Sequence, residues 1–196
     1  MRVNKASLNF TLYEEFKDPL AKKEFLAAKA LYLKSLRECN FPNLTGTAIE
    51  IIQKAKRDKC NIGPYKNLSY FEILNRVGSD LVLLEGVTML FSNHIKNIKP
   101  KRIALKMGNQ AGEDITIELE NNGGLIYGEA FNASESLKGH KMRHSEKIIL
   151  KKIAEDKSSN RVGVIFYNAD MEETNMKQQI KTIDDITIYK IACLIN

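Results

Sequence analysis

The chain has 196 residues, 43% of them hydrophobic, enough for one substantial core and one domain. Charged residues make up 28%, the ordinary share for a globular protein, which excludes disorder; the net charge of +6 leans toward an anionic partner without identifying one. Cys39, Cys60 and Cys193 are odd in number, far apart and without CxxC spacing, which excludes a disulfide framework and a cysteine zinc site and fits reduced, structural cysteines.

Residues 1–10 contain no apolar signal region, so the expected location is the cytoplasm. Asp18-Pro19 offers an N-cap and a proline at the first helical position, predicting a helix to about Glu38. Its apolar stripe is Leu20, Leu26, Ala27, Ala30, Leu31 and Leu33. Thr47 with Glu50 forms a capping box for a second helix, to about Lys59, and 61–67, containing Gly63-Pro64, reads as a loop. Ser69 with Glu72 repeats the box and opens a long helix to about Asn93, with Ile73, Val77, Leu81, Leu84 and Leu90 facing the core. The stretch 81–91 is interrupted by Glu85 and too short to cross a bilayer, so it suits a buried helix and no membrane role is expected.

After Pro100 the period changes. A short strand is predicted over 103–107, and 114–120 alternates, with Asp114, Thr116, Glu118 and Glu120 on one face and Ile115, Ile117 and Leu119 on the other. Asn121-Asn122-Gly123-Gly124 signals a turn, and 125–131 is the returning strand. A basic helix over 139–155 and strands over 161–167 and 186–195 follow, while the polar stretch 168–185 stays unassigned.

Charge is unevenly spread. Lys96, Lys99, Lys101, Arg102 and Lys106 form one basic run, and Lys138, Lys141, Arg143, Lys147, Lys151 and Lys152 form another, interrupted only by Glu146. Between them lie Glu113, Asp114, Glu118, Glu120 and Glu129. Two solvated surfaces would account for this pattern; so would a backbone-binding rim around an acidic metal site. A symmetric turn puts Asp114 opposite Phe131 and Thr116 opposite Glu129. Asp114 and Glu129 then become diagonal neighbours on one face, roughly 7 Å apart at Cβ. Carboxylates so placed repel unless a cation lies between them, and a hard divalent ion with oxygen ligands answers that need. On this register both carboxylates occupy a polar, solvent-facing side. His140 and His144 are four apart, but no catalytic glutamate stands between them and no cysteine is near, so two surface histidines are expected.

Several segments resemble the PD-(D/E)xK restriction-endonuclease-like nucleases: Asn75-Arg76-Val77-Gly78-Ser79-Asp80, Gly112-Glu113-Asp114-Ile115, and Gly128-Glu129-Ala130-Phe131-Asn132-Ala133. The element order of 69–170 is similar to that family's core. The resemblance implies an α/β (α+β) fold with a central mixed sheet of about five strands flanked by helices. A single domain over 1–196 would carry a helical N-terminal half, 1–99, and a nuclease-like core at about 69–195. It also implies a Mg²⁺-dependent (or Mn²⁺-dependent) DNA endonuclease, with a restriction-type enzyme as the nearest expectation. Asp114, Glu129 and the carbonyl of Ala130 would bind metal, with Asp80 and Glu72 as accessory carboxylates. Glu72 is already explained by its capping box, and Asp80 by an ion pair with Arg76. Double-stranded DNA would contact Lys138, Lys141, Arg143, Lys147, Lys151 and Asn132, and a homodimer would suit the cutting of both strands. The family's lysine, two residues after the glutamate, is Phe131 in this chain; Lys141, or else Lys138, is the expected substitute. The alternatives are a catalytically inactive DNA-binding or interaction protein that keeps the fold, or a purely structural domain.

Overall fold

A computed structural model describes residues 16, 18–95, 97–108, 112–120, 123–169 and 178–194. In chain order the elements are α1 (Lys22–Arg37), α2 (Ala48–Arg57), β1 (Lys59–Ile62), β2 (Tyr65–Ser69), α3 (Tyr70–Phe91), β3 (Pro100–Leu105), β4 (Ile115–Leu119), β5 (Leu125–Phe131), α4 (Glu135–Glu155), β6 (Ser159–Asn168), β7 (Gln178–Ile183) and β8 (Ile186–Cys193). The fold is α+β, with β1 and β2 forming a small sheet and the other six strands a mixed sheet in the order β3-β4-β5-β6-β8-β7. Strands β5, β6 and β8 run parallel to their neighbours in that set, while β3, β4 and β7 pair antiparallel.

The capping boxes behave as their sequence predicts. Thr47 and Ser69 each accept a hydrogen bond from the N–H three residues on, and Glu50 and Glu72 reach back to the cap N–H. The proline cap does not. Leu20 exchanges backbone hydrogen bonds with Ile103 (2.8 and 2.9 Å), so the chain stays extended past Pro19 and α1 begins at Lys22. The expected loop at 61–67 is instead the turn of the β1–β2 hairpin, so the N-terminal half is not purely helical. Strand β7, in the stretch left unassigned, bonds β8 on one side only; its polar sequence suits a sheet edge. The Asn121-Asn122 part of the predicted turn lies outside the described residues.

Helix α3 covers one face of the large sheet and α4 the other. On the α3 side Ile115, Ile117, Ile126, Ala130, Val164, Phe166 and Ile191 join the helix and the N-terminal elements in one core. On the α4 side Tyr127, Phe131, Ile165, Tyr167, Ile188 and Ala192 meet Ile149 and Ile153. Both faces being covered, β5 and β6 read as runs of apolar residues rather than alternating ones. Close approach is bought by glycine: a Cβ at Gly86 would overlap the Phe166 ring, and one at Gly163 would overlap Ile149. Glu146, buried in α4, holds the last two strands of the sheet through Lys190 (2.5 Å) on β8 and Lys181 (3.0 Å) on β7.

Two expectations about the hairpin are corrected here. Thr116 pairs with Tyr127 and Ile115 with Gly128, a two-residue slip from the symmetric register, so Asp114 is not opposite Phe131. A slip of two keeps every side chain on its face, which is why the core assignment survived it. The face carrying Glu129 is not solvated either: α4 lies over it, leaving Glu129 6% exposed and Phe131 5%.

Candidate active site

Asp114 lies where β3 ends and β4 begins, with Asp80 of α3 on one side of it and Glu129 of β5 on the other strand of the hairpin. Asp114, just before β4, is fixed by its backbone and its side chain together. Its N–H donates to the Gly128 carbonyl (3.0 Å), its carbonyl accepts from Lys106 N–H (2.9 Å), and its Oδ2 accepts from Ala130 N–H (2.9 Å). Asp80 comes from the middle of α3 and lines the same small cavity as Asp114, together with Ser79, Leu83, Lys106 and Ala130. Asp80 is 2% exposed. Its Oδ1 accepts from Gly108 N–H (2.9 Å), and its Oδ2 from the hydroxyls of Tyr32 (2.7 Å) and Tyr65.

Glu129 of β5 adds a carboxylate beside Asp114. Its Oε1 is buried with no hydrogen-bond partner among the described residues. Burial pushes the Glu129 carboxyl up to about 9, reinforced by the charge of Asp114, with Lys106 opposing. Burial likewise raises Asp114 to about 7; the Ala130 N–H and Lys106 resist, while Asp80 and Glu113 add to the rise. Asp80 is raised to about 6 by its burial, against the hydrogen bonds from Tyr65, Gly108 and Tyr32. These carboxyls are therefore poorly served with positive charge at neutral pH.

The nearest cation is Lys106, which sequence reasoning placed only in a basic run. It lines the cavity with Asp80 and Asp114, and its Nζ lies 3.2 Å from Glu113 Oε1. Lys152 of α4 approaches the same Glu113 oxygen at 3.5 Å. Burial works to raise Glu113, but a backbone hydrogen bond and these two ammonium groups outweigh it and hold the carboxyl below its ordinary value. The β3–β4 pairing of Leu105 with Ile115 brings Lys106 beside Asp114. That alignment was the available signal, and it required the strand register to be known.

The other predicted residues fall elsewhere. Lys141 lines a neighbouring groove with Asn132, Asn75, Arg76 and Ser79, and not the cavity shared by Asp80 and Asp114. Lys138 turns inward: its Nζ sits over the Tyr167 ring at 5.9 Å and 3.4 Å from Glu135. Arg143, Lys147 and Lys151 lie on the exposed side of α4, as do His140 and His144. Lys151 pairs with Glu155 at 3.8 Å. Glu72 caps α3 and contacts Lys59 (3.4 Å), so it does not join the cluster. Asp80 is held by tyrosines rather than by Arg76, whose Nη1 donates to the Gly108 carbonyl (2.9 Å). Phe131, where the resemblance led to the expectation of a lysine, stacks on Tyr167 with ring centroids 6.2 Å apart.

Among the described residues no three His, Cys, Asp or Glu side chains converge as a ready metal-binding group. The donor set on offer is two carboxylates and a backbone carbonyl, which suits a small hard ion that keeps several of its own waters. No helix among the described residues is long and apolar enough to cross a membrane. No family model matches the chain, and no curated protein matches it significantly. What the fold and site define is an α+β protein with a buried carboxylate cluster at the end of a mixed sheet.

Proposed function

We propose that this chain is a Mg²⁺-dependent (or Mn²⁺-dependent) DNA endonuclease with a restriction-endonuclease-like core. The observation that carries the reading is Glu129 Oε1, buried and without a hydrogen-bond partner among the described residues, next to a second carboxylate, Asp114. Burying one unpaired oxygen of this kind costs about 1–3 kcal/mol, more when it is charged, and a divalent cation with oxygen ligands removes that cost.

Asp114 and Glu129 would hold the ion, with the Ala130 carbonyl as a third donor. When bound, the ion supplies Lewis acidity at the scissile phosphate and a more acidic water. The remaining roles belong to the chain. The Ala130 N–H keeps the Asp114 carboxylate oriented. Lys106, rather than Lys141, is the ammonium group near enough to orient the attacking water and offset charge on the phosphate. The attacking water gives up a proton to solvent as its oxygen forms the new P–O bond, the bond to the leaving sugar oxygen breaks, and that oxygen departs with a proton from solvent. Lys141 and Asn132 contact the substrate strand in the adjoining groove.

Cleavage of plasmid DNA with Mg²⁺, with and without chelator, tests this. Asp114→Asn and Glu129→Gln should each abolish cleavage. Lys106→Met should slow it by about 100-fold or more, while Lys141→Ala should weaken binding more than the saturated rate. The core position of Phe131 favours a second reading, an inactive DNA-binding protein. Binding without cleavage by the wild type, across both metals and varied DNA substrates, would establish that reading. Phe131→Lys would not rescue it, because an ammonium there would be buried against Tyr167.

A further inference from the structure

Beside the carboxylate cavity runs a larger groove of about 600 Å³, between the first turns of α3 and the loop from β5 into α4. Ser79 lines both spaces, so the groove adjoins the proposed cleavage site. Its walls combine three chemistries: the exposed apolar side chains of Phe71 and Leu137, the amides of Asn75 and Asn132, and the cations Arg76 and Lys141. Phe71 is 51% exposed and Leu137 55%, so the groove presents an open aromatic face and an aliphatic side chain beside its polar groups. Lys56 Nζ stands over the Phe71 ring at 5.8 Å, adding a cation at that end. The acid in the groove, Glu72, is already committed to the Ser69 cap and to Lys59.

We infer that this groove receives an unpaired nucleotide of DNA next to the scissile bond, with its base stacked on Phe71. The inference rests on the nuclease reading for the identity of the substrate. An intact duplex offers phosphates outside and base edges in its grooves, so an exposed phenyl ring gains little from it. An unstacked base offers a π-face, and its edge offers donors and acceptors that carboxamides can meet. Arg76 and Lys141 supply the charge that the backbone of the same strand requires. Asn132 is brought to the groove by Gly78, where a Cβ would overlap its amide. The substrate class is then DNA with a single-stranded segment, such as a flap, a bulge or a frayed end, joined to duplex.

The test is equilibrium binding in chelator, so that no metal or cleavage enters. Two fluorescent probes are compared: a blunt duplex, and the same duplex carrying a short single-stranded thymidine tail. The tail should tighten binding by at least about fivefold, the lower end of what one base–aromatic stack supplies. Phe71→Ala should remove that gain while leaving blunt-duplex affinity and thermal stability unchanged, and Phe71→Trp should keep it. A tail that brings no gain, or a gain that survives Phe71→Ala, overturns the inference. The two readings fail separately: absence of Mg²⁺-dependent cleavage with the tail effect intact removes the nuclease and leaves the groove.

Discussion

Replacing Glu129 by glutamine separates the electrostatic argument from the catalytic one, because its readout is stability. Glu129 is held at about 9 in the folded chain against an ordinary 4.5. A folded pKa raised above the unfolded one gives stability that is present below about 4.5 and is lost as pH rises toward 9. At pH 8 the cost approaches 1.36 kcal/mol for each unit between 4.5 and 8, a ceiling of about 5 kcal/mol shared with Asp114. Glutamine removes that cost but buries an amide whose hydrogen bonds are incomplete, returning about 1–3 kcal/mol of it. The variant should therefore be more stable than the wild type by about 2 kcal/mol at pH 8, or roughly 4–8 °C in Tm for a chain this long. At pH 4, where the carboxyl is largely protonated in both states, the gain should be gone and only the amide's cost of about 1–3 kcal/mol should remain. Mg²⁺ at a hundred times its Kd should add about 2.7 kcal/mol to the wild type and nothing to the variant. Melting curves at pH 4, 6 and 8 decide it: equal Tm values at every pH would refute the claim that Glu129 is a strained, buried carboxyl.

Two glycines of α3 should respond in opposite directions to alanine. Gly78→Ala gains up to about 1 kcal/mol of helix propensity. Its new methyl displaces only the end of the Asn132 side chain, so stability should rise while substrate affinity falls, as read by melting and anisotropy. Gly86→Ala meets the fully buried Phe166 ring and should lose about 1–3 kcal/mol in urea unfolding. Glu146→Ala strands Lys190, whose side chain is 12% exposed, and should cost about 3 kcal/mol; a change under 1 kcal/mol would remove Glu146 as the tie between α4 and the last two strands of the sheet. Duplex binding should follow salt with a logarithmic slope of roughly −3.6, for about four phosphate contacts. Reversing the exposed Lys141, Lys147 and Lys151 together should flatten that slope, and a wild-type slope near zero would exclude the basic helix as a DNA-facing surface.

What could be read from the sequence was what local physics decides. Thr47-Glu50 and Ser69-Glu72 mark helix starts because their hydrogen bonds close within four residues. Strand β5 was legible over its full length because its apolar run ends at a clear turn on one side and a polar loop on the other. What depends on distant partners was not. Leu20 leaves the helix pattern because Ile103 pairs with it, and β7 becomes a strand because β8 offers an edge. The same distinction runs through the site. Asp114 and Glu129 stand out as charges in strands, whereas the burial of Glu129 depends on α4 lying across the sheet. The place of Lys106 beside Asp114 emerges only once β3 is laid against β4.

The tyrosines around Asp80 give the molecule an optical handle. The chain has seven tyrosines and no tryptophan, so its intrinsic ultraviolet emission is tyrosine emission alone. Two of the seven, Tyr32 on α1 and Tyr65 on β2, donate to one carboxylate that shares a cavity with Asp114. A phenol bonded to a carboxylate emits weakly, because its excited state gives up the proton. Any event that draws charge off Asp80, whether protonation or a cation arriving beside Asp114, loosens those two bonds and brightens the ring. The unlabelled protein therefore carries its own reporter of the charge in the carboxylate cavity, wired through the N-terminal elements.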